Sequence, residues 1–135
     1  MVRTMTGLIA GMALAGLVLY AGQYAYTQLH PLPPDLGRND VDAYAEFAIA
    51  APGHAIASIL AAWALAGLLG GWIAALVAGP HRRGAGLAIG ALLTAGAIVY
   101  AVWMPNREWV PILAMLLPIP FALSGSLLAT PRREI

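Results

Sequence analysis

Residues 53–78 read GHAIASILAAWALAGLLGGWIAALVA, an apolar run that no charged side chain interrupts. A transmembrane helix needs about 20 consecutive apolar residues, because the hydrocarbon core of a bilayer is about 30 Å thick. The run is long enough to cross that core, so it predicts a membrane-spanning helix. This prediction decides the fold class of the whole chain.

Three further apolar runs accompany it, at about residues 6–29, 86–104 and 109–129, and none contains Asp, Glu, Lys or Arg. The first follows Arg3 as the core of a signal peptide would. It is longer than the usual core of about 7–15 residues, so we expect it to be retained as a helix. The chain of residues 1–135 is therefore predicted to be one all-α membrane domain, a bundle of four transmembrane helices.

The composition agrees with a protein whose main partner is the lipid bilayer. Apolar residues make up 61% of the chain and charged residues 10%, with a mean hydropathy of +0.78, whereas a soluble domain carries about 25% charged residues. A net charge of +1 provides no basic surface for a nucleic acid. The absence of cysteine excludes a disulfide framework and a thiolate metal site.

The arginines predict the orientation. Most of them lie at the N-terminus, in the second connection and at the C-terminus, which four crossings place on one side: Arg3, Arg82, Arg83, Arg132 and Arg133. The other side holds Arg38 and Arg107. Because cytoplasmic loops carry an excess of basic residues, both termini are expected in the cytoplasm. The alanine-rich, lysine-free composition is typical of a bacterial protein, which suggests the inner membrane.

Small residues at four-residue spacing predict where helices touch, because they let two backbones approach closely. Such ladders occur in three of the four runs, with the glycines Gly7, Gly11, Gly67, Gly71, Gly86 and Gly90. The partner helix can belong to the same chain or to another subunit. Packing within one bundle is the expectation.

A faint internal repeat accompanies the ladders. The segment from Gly7 to Gly11 is similar to that from Gly86 to Gly90, and residues 78–83 parallel residues 129–133. Two helical hairpins related by an axis along the membrane normal would produce this pattern. The biased composition would produce it as well, so both explanations stay open.

The connection of residues 30–52 is predicted to lie outside the cell membrane. Its Pro-rich start should be extended, because proline lacks an amide donor and disfavours helix in the preceding residue. A short amphipathic helix should follow, with Asn39 as its N-cap, and end before Pro52. Its apolar face, either a cap over the bundle or a docking surface, is predicted to comprise Val41, Tyr44, Ala45, Ala48 and Ile49.

Polar side chains within the spans are few. Those at a similar depth in the outer third are predicted to line one shallow pocket, namely Tyr20, Gln23, Tyr24, Thr27, His54 and Ser58. Interhelical hydrogen bonds are the plainer explanation for such groups. Trp63 lies about 15 Å along a helix from Gly53, near mid-membrane, and is expected to pack between helices. His30 and His54 lack carboxylate or thiol companions, so no metal or other cofactor is expected.

A kink is predicted in the fourth span. Pro118 and Pro120 each remove a backbone donor, so the carbonyls four residues earlier lose their usual partners. Ser124 and Ser126 are candidates to repair this defect. Transporters use broken helices to hold substrates, whereas proline in a membrane helix also serves packing alone. The absence of an intramembrane carboxylate favours the packing explanation.

Several features occur together: a glycine-laddered first helix, a Pro-rich outer loop with acidic residues, the Ala62–Trp72 stretch and an outer turn from Pro105 to Trp109. In this layout the chain resembles small bacterial four-helix integral membrane proteins of uncharacterised function. The resemblance implies a fold and no activity.

These features favour a non-catalytic structural or accessory protein, which packs with itself as a homo-oligomer or with a larger membrane complex. The alternative is a transporter or channel for a small molecule or lipid, acting as an oligomer. An enzyme is not expected, because the sequence has no pair of intramembrane carboxylates, no nucleophile–base spacing and no phosphate loop.

Overall fold

The computed structural model describes residues 1–34, 40–103 and 109–129. In these ranges the chain is helical and contains no strand. The α-helices there are α1 (Val2–Leu29), α2 (Val41–Ile49), α3 (Gly53–Ala78), α4 (Arg82–Trp103), α5 (Trp109–Leu116) and α6 (Pro118–Leu128). By length and composition, three helical segments of the described chain are able to cross a membrane: Val2–Leu29, Gly53–Trp103 and Trp109–Leu128.

Two helices begin earlier than the apolar runs. α1 begins at Val2 rather than at about residue 6, and α4 begins at Arg82 rather than at about residue 86. Apolar composition marks only the part of a helix that lies in hydrocarbon, whereas the hydrogen-bonded backbone continues into the polar flanks. The end expected for the third span, Met104, lies outside the described residues.

The Gly53–Trp103 segment reverses direction in one short 3₁₀ turn, Gly79–His81. Gly79 has φ of 65°, a left-handed conformation that glycine adopts without steric cost. Beyond the turn, α4 runs antiparallel to α3. A Cβ placed on Gly70 would lie 3.3 Å from the Ile89 Cγ2. Two antiparallel helices therefore share this helical segment.

α3 is the helix against which α1, α4 and α6 all pack. α1 runs antiparallel to it, since Gly7 lies against Ala74 near one end and Gly22 against Ala62 near the other. No contact joins α1 to α6 within the described residues. The molecule is thus arranged around α3 rather than as a symmetric ring of helices.

α6 packs parallel to α3 and antiparallel to α4. Along α3, Gly67 meets Pro118 and the next turn, at Gly71, meets Ala122. Along α4 the order is reversed, because Gly86 meets Ser126 and Gly90 meets Ile119. These contacts give α1, α3, α4 and α5–α6 alternating directions.

The expected repeat agrees with this packing in one respect and departs from it in another. In both halves, the glycine pair of the first helix faces the second helix, α3 for Gly7 and Gly11 and α6 for Gly86 and Gly90. An exact two-fold repeat would also require α6 to contact α1 as α3 contacts α4. That contact is missing from the described chain, so any duplication has lost its symmetry.

The short outer helix forms, and its contact face agrees with the predicted one in part, since Ala48 is buried and Tyr44 and Ala45 are half-buried. Its N-cap is Asp40, which accepts a hydrogen bond from the Ala43 amide at 3.1 Å; Asn39, the expected cap, lies outside the described residues. The ring of Phe47 stacks on that of His30 with centroids 3.9 Å apart. Val41 and Ile49, expected on the apolar contact face, are 74% and 50% exposed.

Candidate functional site

The glycines of the first ladder lie directly on the α3 backbone. A Cβ on Gly7 would lie 2.7 Å from the Ala74 carbonyl oxygen, and one on Gly11 would lie 2.5 Å from that of Gly70. Real Cβ atoms do not approach an oxygen so closely. Both positions therefore need glycine to keep α1 at its present distance from α3.

The other predicted glycines all face α6. Gly67 and Gly71 lie against the backbone of Pro118 and Ala122, and Gly90 would place a Cβ 2.9 Å from the Ile119 Cα. Gly86 differs, because its nearest neighbour is a side-chain atom, the Ser126 Cβ at 2.6 Å. All six predicted packing glycines thus contact another helix of the same chain.

Three further glycines are closely packed, although the ladder pattern did not predict them. Gly22 lies against the Ala62 side chain, Gly70 against the Gly11 backbone, and Gly125 against the Leu68 carbonyl oxygen. α3 therefore presents glycine on two sides, Gly70 towards α1 and the Gly67–Gly71 pair towards α6. Gly16 is different, because nothing lies within 4 Å of a Cβ placed there.

The predicted polar pocket divides in the structure. Tyr20 and Gln23 line a cavity of about 410 Å³ between α1, α3 and α4. A smaller cavity of about 200 Å³ lies along α1 alone and adds Tyr24 and Thr27 to the same two residues. Four of the six residues predicted to share one pocket thus line two cavities, which have Tyr20 and Gln23 in common.

The two predicted pocket residues on α3 belong to neither cavity. His54 is exposed at the start of α3. The Ser58 hydroxyl donates to the Ala55 carbonyl at 2.6 Å, within its own helix. The α3 side of the larger cavity comes instead from Ile59, Ala62 and Trp63.

Aromatic and small residues complete the larger cavity, hereafter the α1–α3–α4 cavity. Its full lining is Leu19, Tyr20, Gln23, Ile59, Ala62, Trp63, Gly96, Val99 and Tyr100. The rings of Trp63 and Tyr100 meet edge to face, with centroids 6.0 Å apart and an interplanar angle of 62°. Trp63 is 6% exposed, so it packs between helices as expected. Its place in a cavity wall was not foreseen.

His30 is part of the attachment of α2. Its Nε2 lies 2.8 Å from the Phe47 carbonyl oxygen, and its ring also meets Tyr26 edge to face at 5.8 Å. These contacts fix the end of α1 to the outer helix. No group of three or more metal-ligating side chains occurs among residues 1–34, 40–103 and 109–129.

The fourth span is interrupted at Leu117, between α5 and α6. Pro118 is fully buried against Gly67, whereas Pro120 is exposed. The Thr94 hydroxyl of α4 donates to the Met115 carbonyl in the interrupted turn, at 3.3 Å. Of the two prolines, only Pro118 packs against a neighbouring helix at the break.

The serines suggested for repair act elsewhere. Ser124 donates to the Pro120 carbonyl at 2.8 Å and Ser126 to the Leu123 carbonyl at 2.7 Å, both beyond the break. A serine hydroxyl reaches carbonyls three or four residues earlier in its own helix. From these positions neither hydroxyl reaches the carbonyls of Ala114 and Leu116 in that way.

Comparison of the chain with protein-family models, with curated proteins and with solved structures finds no match. The fold and the site therefore rest on the chain's own residues.

Proposed function

We propose that the chain is a four-span protein of a bacterial inner membrane, with both termini cytoplasmic, and that it is a non-catalytic accessory or structural component. In this proposal α1 binds either a second copy of the chain or a helix of a larger membrane complex. The observation that carries it is the uncovered, partly polar outward surface of α1.

The four spans are supported by the alternating directions of α1, α3, α4 and α5–α6. The Gly53–Trp103 segment has 51 residues, far more than the roughly 20 that one crossing needs. Its reversal at Gly79 divides it into two helices, each of sufficient length. In the proposed topology α1, α3, α4 and α5–α6 therefore each cross the membrane once, in alternating directions.

The orientation is supported by the clustering of basic residues at one end. The Arg3 guanidinium lies against Gly79, with its Nη2 3.3 Å from where a Cβ would be. Arg82 and Arg83 follow in the same connection. The N-terminus and this connection therefore share one end of the molecule, and an excess of basic residues favours the cytoplasmic side.

The accessory role is supported by how little of α1 its own chain covers. In the most apolar window of α1, 17% of residues are buried, against 33% in each of the other two segments. On the part of α1 that its own chain leaves uncovered, Tyr20 is 75% exposed and Tyr24 is 62% exposed. Neither tyrosine hydroxyl has a hydrogen-bond partner among the described residues.

The depth of Tyr20 makes its hydroxyl informative. Tyr20 precedes Leu29 by nine residues, about 13 Å along a helix, so it lies well inside the outer half of the membrane. A polar group facing hydrocarbon is unfavourable unless another helix satisfies it. A partner helix on the outward face of α1 would supply the missing hydrogen bonds.

Site-specific photo-crosslinking in native membranes tests the proposal. A photoreactive phenylalanine analogue in place of Tyr24 should capture a species of discrete mass, and that mass tells a second copy from another protein. The matched control is the same substitution at Leu92 on α4, which is 48% exposed. Equal capture at both positions, or lipid adducts alone, would contradict the proposal.

A further inference from the structure

The α1–α3–α4 cavity has the size and lining of a ligand site. Its volume of about 410 Å³ lies within the range of about 300–1,000 Å³ that small-molecule sites occupy. Most of its wall is apolar, and the polar groups come from Tyr20, Gln23, Trp63 and Tyr100. A mostly apolar wall with a few converging polar groups is the usual composition of such a site.

Two of these groups have unused hydrogen-bonding capacity. Neither the Gln23 amide nor the Trp63 indole N–H makes a hydrogen bond within the described parts of the chain. There, the only fully buried side-chain nitrogen or oxygen atom without a partner is the Arg82 Nε. The indole nitrogen of Trp63 therefore retains accessible surface, although the residue as a whole is only 6% exposed. Trp63 lines the cavity, so this surface is available to a ligand there.

We infer that the cavity opens towards the membrane rather than towards water. Two residues of its rim, Tyr20 and Val99, are 75% and 59% exposed, and both belong to helices that we place in the bilayer. Trp63 lies about 15 Å from the start of α3, near the bilayer centre. A ligand would therefore enter sideways from the lipid phase.

From these groups we propose that the α1–α3–α4 cavity binds a neutral, lipid-soluble ring compound with carbonyl oxygens and an apolar tail, a molecule of the quinone class. The ligand is neutral because no charged residue lines the cavity. Carbonyl acceptors match the amide and indole donors, and the aromatic edge-to-face pair offers a surface for a flat ring. The opening to lipid accommodates a tail.

This site is distinct from the partner surface proposed for α1. The two share Tyr20, but Gln23 and Trp63 serve the cavity, whereas Tyr24 faces outward. Failure of one proposal leaves the other standing. Loss of crosslinking at Tyr24 does not change the cavity, and loss of ligand binding does not uncover the outward face.

Tryptophan fluorescence tests the ligand directly. The full chain carrying Trp72→Phe, Trp103→Phe and Trp109→Phe retains Trp63 as its single fluorophore and is reconstituted in phosphatidylcholine nanodiscs. A benzoquinone with a ten-carbon tail should quench Trp63 along a saturable curve. A second protein that retains only Trp72 reports the quenching caused by partition into lipid, which should rise without saturation.

Variants of the lining identify the site. Gln23→Leu should raise the apparent dissociation constant about tenfold, the effect of losing one hydrogen bond to a carbonyl. Gly96→Leu should abolish saturation, because a Cβ placed on Gly96 would lie 3.8 Å from the Trp63 Cη2 and the rest of a leucine side chain would fill the space. Thr27→Val, outside the cavity, should leave the curve unchanged.

Three results would overturn the proposal. The first is unsaturable quenching of Trp63 that equals the quenching of Trp72. The second is a curve that Gln23→Leu and Thr27→Val affect equally. The third is displacement of the quinone by a ten-carbon alcohol at the same concentration, since the cavity would then select an alkyl chain rather than a carbonyl-bearing ring.

Discussion

At the scale of single residues, most of the closely packed glycines have a main-chain atom of another helix as their nearest neighbour. Where Gly71 passes α6, the atoms that a side chain would meet are the Ala122 carbonyl oxygen, Cα and carbonyl carbon. Close approach of two backbones brings Cα–H groups near carbonyl oxygens and increases dispersion contact. These contacts matter in lipid, because lipid provides no hydrophobic driving force for two helices to associate. A helical backbone has little freedom to move away from an added methyl group.

Gly71→Ala should therefore destabilise the protein, by about 1–3 kcal/mol if it behaves as other overpacked sites do. The matched control is Gly16→Ala, which introduces the same methyl group where no atom lies within 4 Å. Thermal unfolding in mild detergent measures both. We expect a lower melting temperature for Gly71→Ala and an unchanged or higher one for Gly16→Ala, because alanine favours helix over glycine. Equal melting temperatures would contradict this account of the α3–α6 contact.

The ladder pattern located six of these glycines because small residues four apart lie on one helix face. It missed Gly22, whose neighbours four residues away are Val18 and Tyr26. It also missed Gly125, because its small neighbour Ala129 stands at the end of the apolar run. Gly70 was hidden for another reason, since the adjacent Gly71 belongs to a different face of α3. Which faces a helix uses depends on its neighbours, and composition alone does not specify them.

At the scale of elements, the break between α5 and α6 shows how two nearby prolines differ. Pro118 is buried against Gly67, and Pro120 is exposed. The sequence predicted the kink for both, because each proline lacks an N–H and crowds the preceding turn. Which proline the fold needs depends on the rotation of α6 against α3, and that rotation is visible only in the structure.

Pro118→Ala should lower the melting temperature and Pro120→Ala should not. Alanine at position 118 restores an amide donor for Ala114 and lets the helix straighten, which would move α6 away from Gly67. At position 120 the same change adds a donor without disturbing a packed surface. If the break instead forms a transport site, Pro118→Ala should raise the melting temperature and abolish flux, which would favour the transporter alternative.

At the scale of the whole molecule, the positions of the helices could be predicted from the sequence far better than the cavities and contacts between them. Apolar runs mark helices because lipid admits no unpaired backbone, so α3 is found where it was expected, at Gly53–Ala78. The α1–α3–α4 cavity depends on Trp63 of α3 meeting Tyr100 of α4, residues far apart in the chain. The contact between His30 and Phe47 of α2 likewise depends on the position of His30 at the end of α1.

The orientation is a prediction about the whole molecule. A reporter that is active only in the cytoplasm should give signal when fused after Ile135 and remain silent when fused after Arg38; both fusion points lie outside the described residues. Fusion after Arg83, in the turn beside Arg3, should also give signal. Signal at Arg38 together with silence at Arg83 would invert the proposed topology.

The central position of α3 also bears on how the protein is assembled during synthesis. In the four-span topology proposed above, α1 would enter the bilayer before α3 has been made, so for that interval the contacts with α3 would not yet stabilise it. In the same topology α6 is made after α1, α3 and α4, and until it arrives the groove at Gly67 and Gly71 would face lipid. A nascent chain halted after Trp103 should therefore already hold α1, α3 and α4 together, with this groove ready to receive the final helix.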